Sequence, residues 1–191
     1  MTRRRYLLAG CVAAATLATL ALPASRYAVW NVSASVPTGL YAIRGKASLH
    51  VGERVAIAPP LGIRRLLATR GYLPSGVPLL KRVAAVSGQR VCRFGHGVTI
   101  DGGFAGVARA RDRLGRPLPA WFGCMTLQTG EMFVMNPAAP QSFDGRYFGV
   151  LRMADVIGRS TPVWTDEAGD GRHVWFADPR ASDLPIQPQG D

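Results

Sequence analysis

Residues Tyr6 to Ala24 form a run of 19 without a charge, directly behind Arg3, Arg4 and Arg5. At about 1.5 Å of rise per residue, a helix of that length spans roughly 28 Å, close to the hydrocarbon thickness of a bilayer. Basic residues ahead of an apolar span stay on the cytoplasmic side, so everything after Ala24 is expected on the other side. A cleaved secretory signal shares this plan. The run is longer than a usual signal core, however, and Ala24 has the large Leu22 two residues before it, a poor setting for cleavage. The expectation is a retained single-pass anchor over residues 1–25.

The exported part is basic. The chain carries 23 Lys and Arg against 12 Asp and Glu, a net charge of +11, and only three of those positive charges precede the anchor. The remaining arginines are scattered. There is no zinc-finger spacing, basic helix or RNA-binding aromatic signature, so nucleic acid is not an expected partner and anionic membrane lipid is. His50, His96 and His173 are dispersed and share no ligand spacing with each other or with the cysteines, so no metal and no cofactor is expected. Cys11 lies in the apolar run. Cys92 and Cys124 lie in the exported part, where an oxidising compartment permits a disulfide; the alternative is two free buried thiols.

After the anchor the chain reads as a series of short strands punctuated by Gly and Pro. Ala42–Arg44, Arg54–Ala58, Val77–Val86, Val98–Ile100 and Glu131–Met135 read as strands, with a hairpin turn at Asp101–Gly103. Leu61–Arg70 suits a short helix closed by Gly71, since Ile63, Leu66 and Leu67 share one face. Asn136–Gly149 reads as a loop, and Val150–Trp164 as the last strand or two. From Thr165 onward the chain is polar and reads as a loose tail. The expected organisation is an anchor (1–25), a mostly β domain of antiparallel sheets (26–164) and a tail (165–191).

Three short stretches carry candidate chemistry. In Asn31–Tyr41, Ser33 and Ser35 stand two apart just before Pro37 and Gly39. Pro37 fixes its own φ and pushes Val36 towards an extended conformation, so Ser35 sits where a strand gives way to a rigid turn. Lys81 lies among Leu79, Leu80, Val83, Ala84 and Val86. A lysine there either snorkels to water or loses its proton in a dry site, and only a neutral amine acts as a base near neutral pH. A neutral lysine can take the proton of a serine hydroxyl, which gives a Ser-Lys dyad. In Ser142–Gly149, Asp144 and Arg146 can lock a loop by charge-assisted hydrogen bonds, and Ser142 can aim a lysine amine.

These three blocks, Ser33-Ala34-Ser35-Val36-Pro37, Lys81-Arg82-Val83-Ala84-Ala85-Val86-Ser87-Gly88 and Ser142-Phe143-Asp144-Gly145-Arg146, resemble the type I signal peptidase family and occur in its order. The wording is most similar to the conjugative-transfer branch, the TraF-type peptidases. That likeness rests on Gly39-Leu40-Tyr41, Arg70-Gly71-Tyr72-Leu73-Pro74, the two exported cysteines and Arg146-Tyr147-Phe148-Gly149. The resemblance runs from the anchor to about Trp164. It implies a signal-peptidase-like β domain with Ser35 as nucleophile and Lys81 as general base. It also implies an oxyanion-hole role for the Ser33 hydroxyl beside the Ser35 backbone N–H, with Ser142 orienting the lysine and Asp144 and Arg146 as a supporting pair. Val36, Ser87, Gln89 and Gly145 depart from the family's usual methionine, proline, aspartate and serine.

The function so implied is a membrane-bound serine endopeptidase on the periplasmic side of a bacterial inner membrane. Its substrate would be an exported precursor, such as a conjugative pilin, released by water or by a substrate amine. The alternative is an anchored structural module of a secretion or pilus assembly, in which Ser35 and Lys81 are replaceable.

Overall fold

A computed structural model of the chain describes residues 27–45 and 48–178. The expected anchor lies outside the described residues, and no helix among them is long and apolar enough to cross a membrane. In chain order the strands are β1 (Tyr27–Asn31), β2 (Thr38–Arg44), β3 (Arg54–Ile57), β4 (Leu79–Val86), β5 (Arg90–Phe94), β6 (Gly97–Ile100), β7 (Gly103–Val107), β8 (Gly123–Thr126), β9 (Glu131–Val134), β10 (Leu151–Arg152), β11 (Val156–Asp166) and β12 (Val174–Trp175). The larger sheet runs β1-β2-β11-β3-β4-β9-β10, with β12 on β11; the smaller runs β7-β6-β5-β8. Every pairing is antiparallel. The expected mostly β, antiparallel class is what is found.

β4 is an interior strand of the larger sheet, between β3 and β9. It begins at Leu79, later than the Val77 start read from the sequence, because Pro78 has no N–H to give to a ladder. Leu79, Lys81, Val83 and Ala85 alternate along one face and are all buried, so the apolar pattern of the strand carries Lys81 inward with it. A core of Leu49, Val55, Ile57, Leu67, Leu79 and Val83 lies beside it, under the helix Leu61–Thr69. A second core, built from Ala85, Val91, Val98, Phe133 and Met135, joins the two sheets. Cys92 on β5 stands opposite Cys124 on β8, and the two form a disulfide within the smaller sheet.

The β1–β2 hairpin places the Ser33–Pro37 turn. Its register pairs Asn31 with Gly39, leaving the intervening residues as the loop. Gly39 has φ +131°, and a Cβ there would lie 2.2 Å from the Trp164 carbonyl oxygen, so only glycine lets β2 approach β11 this closely. Tyr41 is fully buried with Val36, Ile43, Ala56 and Leu80, and its hydroxyl donates to the Pro37 carbonyl at 2.7 Å.

Beyond the start of β4, the sequence reading differs from this fold in three places. It contained no strand at β5 or β8, which are five and four residues long and lack a sustained apolar alternation, and gave no bounds to the strand before Ser35, here β1. The Asn136–Gly149 loop contains a four-residue helix, Gly145–Phe148, started by the Asp144 carboxylate accepting from the Arg146 backbone N–H. The domain boundary expected at residue 165 falls inside β11, and the following residues return to pair β12 with it. The Asp166 carboxylate accepts from the backbone N–H groups of Gly169, Asp170 and Gly171, turning the polar stretch back, and Trp175 stacks on Trp164 at 5.8 Å. A composition that reads as a tail is here a carboxylate-centred turn.

Candidate active site

The turn after β1 and the interior of β4 meet at one point. Lys81 Nζ lies 3.0 Å from Ser35 Oγ and donates to Ser142 Oγ at 2.9 Å. Ser33 Oγ and Ser35 Oγ share a hydrogen bond of 2.8 Å. The Ser35 backbone N–H donates to Ser33 Oγ at 3.3 Å. The two groups assigned to an oxyanion hole thus lie side by side, bonded to each other in this arrangement. All three serines and the lysine are brought together from segments far apart in the chain.

Lys81 is only 2% exposed. Burial in the sheet lowers its pKa to about 8, against the opposing pull of the Asp144 charge and with a smaller lowering from Arg146. Its hydrogen-bonding neighbours are hydroxyls, which can serve a neutral amine as well as a cation. A useful fraction of neutral amine therefore exists near neutral pH, within reach of a hydroxyl.

Asp144 and Arg146 do not touch Lys81 directly in any hydrogen bond among the described residues; they build the wall behind it. Asp144 is fully buried and takes Arg146 in a two-pronged contact, Nε to Oδ1 and Nη2 to Oδ2, both at 2.9 Å. Arg146 Nη2 also donates to the carbonyls of Ala139 and Ser142, at 2.9 and 3.2 Å. The Arg146 carbonyl accepts from Arg93 Nη1 on β5, and Trp121 Nε1 donates to the Gly145 carbonyl at 2.9 Å. The ion pair thereby fixes the backbone that presents Ser142 to the lysine.

One residue escaped the sequence reading. Asn136, two residues past the end of β9, donates from Nδ2 to the Ser35 carbonyl at 2.7 Å and accepts at Oδ1 from the Arg82 backbone N–H at 3.0 Å. Its own N–H donates to Asp144 Oδ2 at 3.1 Å. Asn31 plays a comparable part within the hairpin, donating to the carbonyls of Ser33, Val36 and Pro37 at 2.8 to 3.1 Å. The signal available in the sequence was Asn136-Pro137 directly after an apolar strand, which also describes an ordinary loop start.

Ser33, Ser35, Lys81 and Ser142 open onto a cleft of about 670 Å³, whose other walls include Leu67, Tyr72 and the loop 109–118. Among the described residues no group of three or more His, Cys, Asp or Glu could hold a metal ion.

An antiparallel β domain with a buried lysine against a turn serine, at the floor of an open cleft, defines a class of hydroxyl–amine site suited to acyl transfer. The chain belongs to the signal peptidase family, peptidase S26, whose profile matches residues 3–165. This makes it a signal-peptidase-like protein with a peptidase-like function. It is 35% identical over 117 residues to a protein of Sinorhizobium fredii (strain NBRC 101917 / NGR234) described as "Probable conjugal transfer protein TraF". That match covers 56% of this chain and 61% of the relative, so the chain spans about three fifths of the relative's length. A signal peptidase I crystal structure from Enterococcus faecalis V583 is 20% identical, covering 59% of this chain and 97% of that one with a TM-score of 0.37.

Proposed function

We propose that the chain is a membrane-anchored serine endopeptidase that cleaves exported precursor proteins with a Ser35–Lys81 dyad. The observation that carries this reading is the 3.0 Å contact between Ser35 Oγ and the buried, low-pKa Lys81 amine at the floor of the cleft. In its neutral form Lys81 accepts the Ser35 proton as Oγ attacks the scissile carbonyl. The tetrahedral oxyanion takes the hydrogen bonds of the Ser33 hydroxyl and the Ser35 backbone N–H, which turn from each other to the substrate oxygen. Lys81 then returns the proton to the leaving amine. Water attacks the acyl-enzyme, giving a proton to Lys81, and Lys81 passes it to Ser35 Oγ as the carboxylic acid product leaves, so the neutral amine and the serine hydroxyl are restored. Ser142 holds the amine on line throughout, and no cofactor takes part.

The anchor at 1–25 would place this chemistry at the periplasmic face of a bacterial inner membrane, beside anionic lipid. Ser35 follows Ala24 by eleven residue steps, which reach at most about 36–40 Å. Similarity to a conjugal transfer protein favours a pilin-like or other transfer-apparatus precursor as the substrate.

The test is processing in membranes. Wild type, Ser35→Ala and Lys81→Ala are each co-expressed with a candidate pilin precursor, and the product is read by intact mass. Loss of processing in both variants, with the proteins made and inserted, is expected. Processing that survives in both variants, while the purified wild-type chain does not cleave the precursor, overturns the dyad and leaves the non-catalytic module. A product one water lighter than the hydrolysed form identifies a substrate amine as acceptor.

A further inference from the structure

The loop between β7 and β8 reads Ala108-Arg109-Ala110-Arg111-Asp112-Arg113-Leu114-Gly115-Arg116, and it lines the same cleft as Lys81. It is a built element. Arg111 and Pro117 form a β-bridge, and Leu118 N–H donates to the Ala110 carbonyl at 2.9 Å. Asp112 is the centre: its carboxylate accepts from the backbone N–H groups of Leu114 and Arg116 at 2.9 Å, from Arg116 Nε at 2.6 Å and from the Tyr72 hydroxyl at 2.5 Å. Those bonds hold its carboxyl well below the usual carboxylate range against the opposing effect of burial. Arg70 Nη1 donates to the Pro117 carbonyl and Arg116 Nη2 to the Arg70 carbonyl, at 2.7 and 3.1 Å, so the loop is riveted to the end of the helix Leu61–Thr69.

This construction spends Asp112, the one acidic residue of the cleft lining, on Arg116 and Tyr72. Arg109, Arg111 and Arg113 are left exposed along the cleft. The Arg109 and Arg113 guanidinium groups have no hydrogen-bond or ion-pair partner among the described residues, and Arg111 reaches only the Gly115 carbonyl, at 2.7 Å. Three cations on a hydrogen-bonded loop, with no anion to answer them among the described residues, face the space that leads to Ser35. A concave site of this size, within the roughly 300–1,000 Å³ of ligand-binding clefts, suits an extended peptide better than the flat plane of lipid headgroups.

We propose that the 109–118 loop is a specificity element that selects peptides carrying acidic residues in the segment held in the cleft. This rests on the peptidase reading for its catalytic consequence but not for the binding itself. Arginine forks pair carboxylates bidentately, and each exposed pair contributes modestly, so three together give a preference on the order of tenfold at low salt. Screening reduces it as ionic strength rises.

The test uses the full chain in detergent with Ser35→Ala, so that binding is read without turnover. Two fluorescent peptides of identical small-residue cores are compared by anisotropy, one with four Asp in the flanking segment and one with four Asn. The acidic peptide is expected to bind about tenfold more tightly, and the ratio to fall to near one in Arg109→Gln/Arg111→Gln/Arg113→Gln. The Arg→Lys triple variant, which keeps the charges, is expected to retain most of the ratio and controls for folding. Equal binding of the two peptides, or an unchanged ratio in the Gln triple variant, overturns the proposal. So does a result in which the Gln variant binds both peptides as before but loses association with vesicles of phosphatidylglycerol and phosphatidylcholine, which assigns the patch to lipid. Selective binding with no cleavage of either peptide by the wild-type chain supports the acidic-peptide site and sinks the peptidase reading, so the two failures are separable.

Discussion

The side-chain amide of Asn136 donates to the backbone carbonyl of Ser35 at 2.7 Å, joining residues 101 positions apart. The same residue accepts from Arg82, next to Lys81 on β4, and donates from its backbone to Asp144. One amide therefore sets the spacing between the Ser35 turn, the lysine strand and the ion-pair loop. The turn that brings Ser35 Oγ to Lys81 Nζ is bonded to Asn136 at the Ser35 carbonyl and internally to Tyr41 and Asn31.

Asn136→Asp tests that role. It keeps an acceptor for Arg82 but puts an oxygen against the Ser35 carbonyl. The expected result is a fall in kcat/KM on the order of a hundredfold, the scale set by an ångström-level misplacement of a nucleophile. Asn136→Ala is expected to cost about 1–3 kcal/mol in denaturant unfolding, from the polar groups it leaves unpaired. Wild-type activity in the Asp variant would show that the turn holds its place without this bond.

With Lys81 as the proposed base, its titration is expected to set the pH behaviour. Burial brings its pKa to about 8, so kcat/KM should rise through pH 8 as the amine becomes neutral. Lys81→Arg keeps the charge but cannot lose the proton, and is expected to be inactive at every pH. The linkage has a definite sign. The folded pKa lies below the ordinary 10.5, so between about pH 8 and 10.5 the unfolded chain binds more protons. Unfolding free energy should therefore gain from Lys81 as pH rises through that window, and the cost of burying the cation is present in full below it. Lys81→Met should remove that gain; urea melts at pH 7.5 and 10 compare the two.

Much of this site was legible because each signal is local. A lysine inside Leu79–Val86 has to follow its strand, and an alternating apolar strand goes into a core. Pro37 and Gly39 announce a turn behind two serines, and Ser142, Asp144 and Arg146 share one short loop. Asn136 was not legible because its long-range bonds reach Ser35, Leu80, Arg82 and Asp144, partners chosen by the sheet order β3-β4-β9 and not by neighbours in sequence. β5 and β8 were missed for a similar reason: their pairing is fixed across a 32-residue separation at Cys92 and Cys124. The Asp166 turn looked like tail because its stabilising groups are backbone N–H donors, which composition does not show.

Asp144 and Arg146 are expected to matter first for stability. Both side chains are at most 2% exposed, and each is the other's main partner. Asp144→Asn leaves a guanidinium buried beside a neutral amide, and breaking a buried pair from one side costs about 3–5 kcal/mol. Because Arg146 also holds the Ser142 carbonyl, kcat should fall in the fraction that remains folded. Equal loss of kcat and of active protein, counted by acylation of Ser35, would reduce the pair to a purely structural role.

Gly145 shows why this chain departs from the serine usual at that place. A Cβ on Gly145 would lie 2.6 Å from Phe133 Cε2 and 2.7 Å from the Val134 carbonyl oxygen, both on β9. Phe133 is itself fully buried in the core that joins the two sheets and packs edge-on against Trp121 at 6.3 Å. The space that a side chain would need is filled by this aromatic contact. Gly145→Ser is expected to destabilise by about 1–3 kcal/mol, the usual range for overpacking. Phe133→Leu in the same chain should recover only part of that loss, since the ring can be removed but the Val134 carbonyl belongs to the sheet. A double-mutant cycle in urea measures the coupling. A coupling of zero would mean that the backbone contact alone excludes the serine, and full recovery would mean that the ring alone does.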